Sequence, residues 1–175
     1  MGKFFSTKTY GNEEGLSCVF RQWRSTHSHC STLHGYSIGI ELVFSCSELD
    51  ERNWVYDFGG LKEFKVWMHY MFDHTMIVTE DDPFLNEFKR LANLGIATGS
   101  GTGEIEECKP HERGALVDLR IVPAVGCEKF AEMAWQKMNS IIRKQIDDGV
   151  ALNPSVKIHS VKVFEHGANS ATYEG

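Results

Sequence analysis

The order of the apolar patterns along the chain is the feature that most limits its fold. Every second residue from 38 to 44 is apolar, which is the period of a β-strand, and the strand-like segment covers residues 37–46. Residues 16–24 have a similar content of β-branched, aromatic and small apolar side chains. These patterns predict two antiparallel strands near the start of the chain, joined across the segment between them.

Helical patterns follow, and strand patterns return at the end. Residues 61–73 and 128–146 carry apolar side chains at helical spacing, and a further helix is predicted over residues 82–91. Strand signals return at residues 156–164 and 170–173. Because strands and helices are segregated along the chain, the order predicts an α+β fold with an antiparallel four-stranded sheet and helices on one face.

The size of the chain predicts one domain. A chain of 175 residues with 42% hydrophobic residues can bury one substantial core, so we expect a single domain over residues 1–175. Residues 95–115 are glycine-rich and acidic with almost no apolar period, which predicts a flexible insertion. The glycine-rich run at residues 99–103 is not expected to form a phosphate loop, because no strand signal precedes it, no lysine follows it, and Glu104, Glu106 and Glu107 would repel phosphate.

Charge and cysteine content narrow the class of protein. The net charge of -6 and the isoelectric point near 5.7 argue against a general affinity for nucleic acid. No apolar run approaches the ~18 residues that a membrane span needs, so we expect no membrane partner. The five cysteines are odd in number and scattered, which predicts a reducing compartment and a cytoplasmic protein.

The densest chemistry lies in residues 27–37, where three histidines and one cysteine fall between the first two predicted strands. A neighbouring imidazolium or metal lowers the pKa of a thiol, so Cys30 is a candidate base or nucleophile. His27 and His29 are spaced to share one face of a strand, and His34 opens the next strand, which would complete a three-nitrogen metal site. The alternatives are a buried structural thiol and a solvated, histidine-rich turn.

Three further places carry ionisable groups with candidate roles. Asp73 precedes His74 at the end of the first predicted helix, where a carboxylate can orient an imidazole for proton transfer. Glu165 ends a strong strand signal, and Glu128 lies near a helix start, where the helix dipole favours a carboxylate. Each of these groups alone is equally compatible with an ordinary surface or capping role.

Five short motifs occur in an order that resembles the 6-pyruvoyl-tetrahydropterin synthase family, with the bacterial 6-carboxytetrahydropterin synthase branch the more similar one. The motifs are Cys30-Ser31-Thr32-Leu33-His34-Gly35, Val55-Tyr56-Asp57-Phe58, Phe72-Asp73-His74, Gly126-Cys127-Glu128-Lys129-Phe130-Ala131 and Val163-Phe164-Glu165-His166. The resemblance implies a tunnelling fold whose copies assemble into a β-barrel, usually as a homo-hexamer. It also implies a zinc ion and a pterin triphosphate substrate, 7,8-dihydroneopterin triphosphate.

The resemblance also assigns roles to residues. Cys30 matches the family's catalytic cysteine, and Asp73 with His74 matches the aspartate and histidine that complete its proton-transfer set. Glu165 matches the carboxylate that anchors the pterin, and Glu128 matches the glutamate of a threonine-x-glutamate-asparagine motif. The expected reaction is that of a lyase forming 6-carboxy-5,6,7,8-tetrahydropterin, acetaldehyde and triphosphate, on the route to queuosine.

The sequence departs from the family pattern at the expected metal ligands. The family has histidine-glycine-histidine after the cysteine and one more histidine at the end of the first strand. His34 is present here, but Tyr36 replaces the second histidine and Arg24 lies near the position of the third. We therefore predict that His27 and His29 act as substitute zinc ligands.

Three other functions stay open at this point. The nearest is the pyruvoyl-type activity, which eliminates triphosphate without cutting the side chain. A protein that binds pterin without catalysis is the second. A thiol hydrolase that uses Cys30 and a histidine base is the third, although no oxyanion-stabilising feature can be identified in the sequence.

Overall fold

The fold is seen in a computed structural model that describes residues 2–94, 116–151 and 153–175. These residues form seven strands and three α-helices. In chain order they are β1 (Phe4–Tyr10), β2 (Ser17–Phe20), β3 (His34–Cys46), α1 (Lys62–Phe72), β4 (Thr75–Thr79), α2 (Leu85–Ala92), β5 (Leu119–Val122), α3 (Cys127–Asp147), β6 (Lys157–Glu165) and β7 (Asn169–Glu174). No helix among the described residues is long and apolar enough to cross a membrane.

The described residues fall into two compact units. The first unit takes its residues from Met1–Glu14, Gly39–Val66 and Cys127–Gly175, and the second from Gly15–Ile38 and Trp67–Gly126. β3 begins in the second unit and ends in the first, so one strand contributes to both.

The first unit contains an antiparallel sheet covered by a long helix. β1 pairs antiparallel with β3, β6 lies on the sheet next to β3, and β6 and β7 form an antiparallel hairpin. The helix α3 packs against β6 and β7. Its apolar spacing puts one face in the core, with these side chains buried: Phe130, Ala131, Ala134, Met138, Ile141 and Ile142.

The second unit combines antiparallel and parallel pairing. β2 pairs antiparallel with the start of β3, from Ser17 opposite Ser37 to Phe20 opposite His34. β4 runs parallel to β2, and β5 runs parallel to β4. Short runs of apolar residues fill these strands, as expected for strands that are buried on both faces.

The α+β class and the four predicted strands are confirmed, but the prediction of a four-stranded, wholly antiparallel sheet is wrong. The sequence reading missed β1, β4 and β5, and the last two bring parallel pairing. β4 and β5 have only five and four residues, too few to show a period of their own. The predicted insertion at residues 95–115 lies outside the described residues, and the single domain stays a prediction.

Candidate functional site

Cys30 lies in a hydrogen-bonded turn between β2 and β3. The turn His29–Ser31 is a single 3₁₀ turn, and the Oγ atom of Ser28 accepts a hydrogen bond from the Cys30 amide at 3.2 Å. On the other side, the Gln22 amide donates to the Cys30 carbonyl oxygen at 2.8 Å. The backbone of the half-buried Cys30 is therefore held from both directions, which limits the positions that its thiol can take.

An ion pair anchors this turn to the segment that follows β4. Arg21 donates through Nε and Nη2 to both carboxylate oxygens of Asp82, at 2.9 and 2.7 Å, and through Nη1 to the Ser31 carbonyl at 3.2 Å. Burial raises the pKa of Asp82, but hydrogen bonds from Arg21 and from the Phe84 amide outweigh it, so the pKa lies below its ordinary value. Arg21 thus links a buried carboxylate to the residue next to Cys30.

Arg24 forms a second, exposed ion pair. Its Nη2 atom lies 2.6 Å from Oδ2 of Asp81, and the Trp23 indole donates to the other oxygen of that carboxylate at 3.2 Å. The Arg24 guanidinium also lies 4.2 Å from the centre of the Trp23 ring. Arg24 is therefore a permanently charged group held by Asp81 and Trp23, and a guanidinium has no lone pair to offer a metal.

Both ring nitrogens of His34 have partners. Nδ1 lies 2.8 Å from the Thr32 carbonyl oxygen, and Nε2 lies 2.5 Å from the hydroxyl of Tyr36. Because a carbonyl only accepts, Nδ1 donates, and in the neutral ring Nε2 accepts from the Tyr36 hydroxyl. The Tyr36 ring is stacked on Phe20 with centroids 3.9 Å apart, which fixes the position of its hydroxyl.

The arrangement of the histidines does not fit the zinc ion that the resemblance implies. The lone pair with which His34 would bind a metal points to Tyr36 instead. The rings of His29 and His34 lie 5.8 Å apart, and His27 and His29 are exposed. Within residues 2–94, 116–151 and 153–175, no three histidine, cysteine or carboxylate side chains are grouped so that they could hold a metal ion. The three-imidazole site therefore stays a prediction, and no chemical step is assigned to a metal here.

Asp73 and His74 form a hydrogen-bonded pair where α1 ends. Nδ1 of His74 lies 2.5 Å from Oδ1 of Asp73, and Nδ1 of His69 lies 3.1 Å from Oδ2. His74 has a φ angle of 58°, in the left-handed region, and its amide donates to the Ser17 carbonyl at 2.7 Å. That conformation is uncommon for a residue with a side chain, and it turns the exposed His74 ring back towards its own predecessor.

The charge state of Asp73 follows from its two partners. Burial raises the pKa of Asp73, but the hydrogen bonds from His74 and His69 outweigh this effect, so the pKa is lowered. Asp73 is therefore ionised at neutral pH. Since an ionised carboxylate only accepts, each imidazole donates through Nδ1, and the neutral His74 ring keeps Nε2 as its proton acceptor.

Glu165 contacts a buried thiol in the first unit. It lies at the end of β6, and the Sγ atom of Cys127 is 3.6 Å from its Oε1 atom. Burial, followed by the charges of Glu165 and Glu128, raises the pKa of Cys127 to about 12. Cys127 is therefore a protonated thiol that donates to Glu165. Glu128 is exposed in the first turn of α3, where the positive end of the helix dipole favours it.

Residues 11–175 match a model of the family described as 6-pyruvoyl tetrahydropterin synthase. The chain belongs to this family. Among curated proteins, the 6-carboxy-5,6,7,8-tetrahydropterin synthase of Rickettsia bellii is 35% identical over 54 residues, which is 30% of this chain and 39% of that protein. The match therefore spans well under half of that relative.

Solved structures share the fold of this 6-pyruvoyl tetrahydropterin synthase family member. An uncharacterized protein from Wolinella succinogenes superposes with a TM-score of 0.71 at 18% identity, over 100% of this chain and 99% of that one. A 6-pyruvoyltetrahydropterin synthase variant from Plasmodium vivax gives 0.60 at 15% identity, over 98% of both chains. The enzyme of the same name from Plasmodium falciparum gives 0.60 at 14%, over 99% and 98%. At these identities the likeness shows the fold alone.

Three residues with a place in this family member's candidate sites were missed from the sequence. His69 precedes Asp73 by one helical turn, and this spacing could have been read from the sequence as a side-chain pair. Arg21 and Cys127 gave no comparable signal, because their partners Asp82 and Glu165 lie far away along the chain.

Proposed function

We propose that this member of the 6-pyruvoyl tetrahydropterin synthase family is a lyase that acts on 7,8-dihydroneopterin triphosphate. The products are 6-carboxy-5,6,7,8-tetrahydropterin, acetaldehyde and triphosphate, on the route to queuosine. The partial match to the Rickettsia bellii protein, which is named for the carboxy product, supports this branch over the pyruvoyl branch. The activity of the whole protein is part of this proposal, because the match covers only 39% of that relative.

The Asp73–His74 hydrogen bond is the observation that carries the proposal. Lyase chemistry on the substrate side chain needs a group that takes a proton from carbon or oxygen and returns it. Asp73 holds His74 through Nδ1 at 2.5 Å, so Nε2 of the exposed ring is the atom that accepts and returns the proton. Asp73 stays ionised and stabilises the imidazolium that forms.

Cys30 and Glu165 have separate roles in the proposal. The Cys30 thiol, on its fixed turn, is the second group that moves a proton. Glu165 binds the guanidine-like edge of the pterin through two charge-assisted hydrogen bonds, and Glu128 is a further substrate-binding residue. The family resemblance assigns these roles.

The remaining expectations are also proposals. In this family, zinc would activate the substrate side chain as a Lewis acid. The proposed ligands are His27, His29 and His34. Because His34 is hydrogen-bonded to Tyr36, zinc binding by this set needs its own test. We infer a homo-oligomer, a hexamer by family resemblance. The cytoplasm remains the proposed compartment, and the four cysteines of the described residues, which are free thiols, agree with it.

The test is product identification with 7,8-dihydroneopterin triphosphate. Purified protein is expected to release acetaldehyde and triphosphate together with the carboxylated pterin. His74→Gln and Cys30→Ala are each expected to lower kcat by about 10²-fold or more, because each loses a proton-transfer group. His159→Gln, which changes a histidine on β6 that has no assigned role, is the matched control and should keep the rate.

The same experiment separates the alternatives. A pyruvoyl product without acetaldehyde would identify the pyruvoyl activity instead. Pterin binding without turnover in the wild type or in Cys30→Ala would identify a binding protein. Covalent labelling of Cys30 by substrate would be needed to support a thiol hydrolase.

A further inference from the structure

His69 is hydrogen-bonded to Asp73, the residue that orients the proposed proton-transfer residue His74. Nδ1 of His69 lies 3.1 Å from Oδ2 of Asp73, and Nδ1 of His74 lies 2.5 Å from Oδ1. The two imidazoles therefore use different oxygens of one carboxylate. No motif of the family resemblance includes His69.

The end of α1 holds this arrangement in place. The Asp73 amide donates to the His69 carbonyl at 2.9 Å, so the last helical turn places the two side chains on one face. The left-handed φ of His74 and its amide bond to Ser17 fix the other ring. Backbone constraints on both sides leave Asp73 with a narrow range of orientations.

A carboxylate with only one imidazole partner can rotate about its terminal torsion and still keep its hydrogen bond. With His69 on Oδ2, rotation breaks a bond, so Oδ1 stays directed at His74. The side chains of His69 and Asp73 are 33% and 30% exposed, which makes this contact partly shielded from water. His69 thus acts on the ring through the carboxylate.

We propose that His69 is a positioning residue for proton transfer, holding Asp73 in the orientation that directs Nε2 of His74 to the substrate. The proposal rests on the proposed function for its catalytic consequence only. The hydrogen-bonded arrangement itself can be tested without substrate.

The charges around Asp73 support this role. His69 on α1 and His74 before β4 are the groups whose hydrogen bonds lower the pKa of Asp73. From β5, Arg120 reaches the Tyr70 carbonyl, next to His69, but its guanidinium is paired with Asp118. From β2, the uncharged Ser17 carbonyl accepts the hydrogen bond of the His74 amide. Loss of His69 should therefore raise the pKa of Asp73.

The experiment compares His69→Leu with His69→Gln in the full chain. Leucine removes the donor, whereas a glutamine one helical turn from an aspartate can still donate a hydrogen bond to it. In carboxyl ¹³C NMR titrations, the pKa of Asp73 is expected to rise in His69→Leu, which loses one of the two hydrogen bonds to the carboxylate, and to recover in His69→Gln. The histidine ¹⁵N shifts of the wild type should show both His69 and His74 with the proton on Nδ1.

Turnover of dihydroneopterin triphosphate is the second readout. We expect kcat of His69→Leu to fall about tenfold, as for other residues that orient a functional side chain, with KM nearly unchanged and most of kcat regained in His69→Gln.

Three results would overturn the proposal: an unchanged Asp73 titration in His69→Leu, the Nε2–H tautomer for His69, or an unchanged kcat in a folded His69→Leu protein. If wild-type protein shows no turnover, the lyase assignment fails, and the NMR titration and tautomers alone decide the role of His69. If His69→Leu does not fold, the wild-type tautomers decide: a proton on Nδ1 of His69 supports the proposal, and a proton on Nε2 overturns it.

Discussion

The hydrogen bond between His34 and Tyr36 determines what the Cys30 turn can bind. The Tyr36 hydroxyl lies 2.5 Å from Nε2 of His34, the atom that a metal would need as its ligand. Stacking on Phe20 fixes the position of the Tyr36 ring. A metal must break this contact before it can bind His34. Tyr36, which stands where the family pattern has a second histidine, therefore affects whether His34 can serve as a metal ligand.

This competition predicts the effect of two substitutions at Tyr36. Tyr36→His is expected to raise the zinc content of purified protein, because it frees His34 and adds a second imidazole two residues away on the same strand face. Tyr36→Phe frees His34 without adding a ligand and should leave the zinc content low. Elemental analysis of protein never exposed to chelator provides the measurement.

Wild-type protein with one zinc per chain would contradict this reading and would favour the predicted set of His27, His29 and His34. In that case His29→Ala should lower the zinc content. Equal zinc contents in Tyr36→His and Tyr36→Phe would show instead that residue 36 does not decide metal binding.

The two cysteines near proposed site residues are predicted to differ in reactivity. Burial and two neighbouring carboxylates raise the pKa of Cys127 to about 12, and the residue is only 8% exposed, so the reactive thiolate is scarce at pH 8. Cys30 is half-buried and more accessible. Brief treatment with iodoacetamide is expected to modify Cys30 but not Cys127, as mapped by peptide mass spectrometry.

Unfolding in urea should make Cys127 as reactive as Cys30, which controls for the intrinsic reactivity of the two peptides. Rapid alkylation of Cys127 in the native protein would show that the thiol is not protected by burial and by Glu165. The same result would contradict the hydrogen bond from Cys127 to Glu165.

For single residues, the sequence could predict a chemical role only where the interacting groups lie close together along the chain. Cys30 and the Asp73–His74 pair could be proposed because their chemistry lies within a few neighbouring residues; the Asp73–His74 hydrogen bond is present in the structure, and the role of Cys30 stays a prediction. The bond from Tyr36 to His34 was not foreseen, although two alternate residues of a strand share a face. Cys127 was missed because the partner that gives it a role is 38 positions away.

Among the connecting elements, the buried pair of Arg21 and Asp82 is predicted to stabilise the segment that carries Cys30. The Asp82 side chain is 1% exposed and the Arg21 side chain 16%. Breaking one partner of such a pair leaves an uncompensated charge, so Asp82→Asn should lower the free energy of unfolding by about 3 kcal/mol at pH 7. Urea unfolding followed by tryptophan fluorescence measures the difference.

The pH dependence of this contribution has a definite sign. Because the pKa of Asp82 is lowered in the folded chain, its contribution is fully present above the unfolded value of about 3.9 and is lost as the pH falls through the folded pKa. The gap between wild type and Asp82→Asn should therefore close only in acid. Asp81→Asn, which breaks an exposed pair with Arg24, is the control and should cost far less.

Two glycines of β3 give a matched test of packing. A Cβ atom on Gly39 would lie 2.2 Å from Cε2 of Phe164 in the neighbouring strand β6, whereas a Cβ on Gly35 would meet nothing within 4 Å. Gly39→Ala should therefore cost about 1–3 kcal/mol through overpacking, and Gly35→Ala should cost far less. Urea denaturation of both variants checks this difference, and equal losses would show that Phe164 moves aside freely.

Long elements could be predicted and short ones could not. The 21-residue helix α3 repeats its apolar spacing often enough to be recognised, and the 13-residue strand β3 alternates over its second half. β4 and β5 could not be recognised by period, and their parallel pairing depends on partners distant in sequence. The start of β3 was missed by three residues, because His34 and Gly35 read as part of the turn.

At the scale of the whole molecule, the family sets expectations that a single chain does not show. The chain belongs to the 6-pyruvoyl tetrahydropterin synthase family over residues 11–175. Proposed proton-transfer groups occupy the second unit, whereas the proposed pterin-binding Glu165 belongs to the first. The order of the motifs was sufficient to predict the family, because it samples both units of the chain.

The exposed end strand β1 is a candidate contact for assembly. Within the described residues of the first unit, β1 pairs with β3 and β7 pairs with β6, and Phe4 and Phe5 of β1 have relative exposures of 46% and 52%. Strands that end a sheet and expose aromatic side chains favour pairing with another chain. These edges fit a homo-oligomer, and for the hexamer that the family resemblance implies we expect light scattering after size exclusion to give the mass of six 19.8 kDa chains.

A charge at the exposed end strand should weaken this assembly. Phe5→Glu is expected to shift the particle towards smaller species, whereas Val66→Glu is the matched control. It places the same charge at a half-exposed apolar residue on α1 and should leave the mass unchanged. A monomer mass for the wild type at every concentration would remove the proposed oligomer. Loss of assembly in both variants would show a general effect of charge rather than a contact through β1.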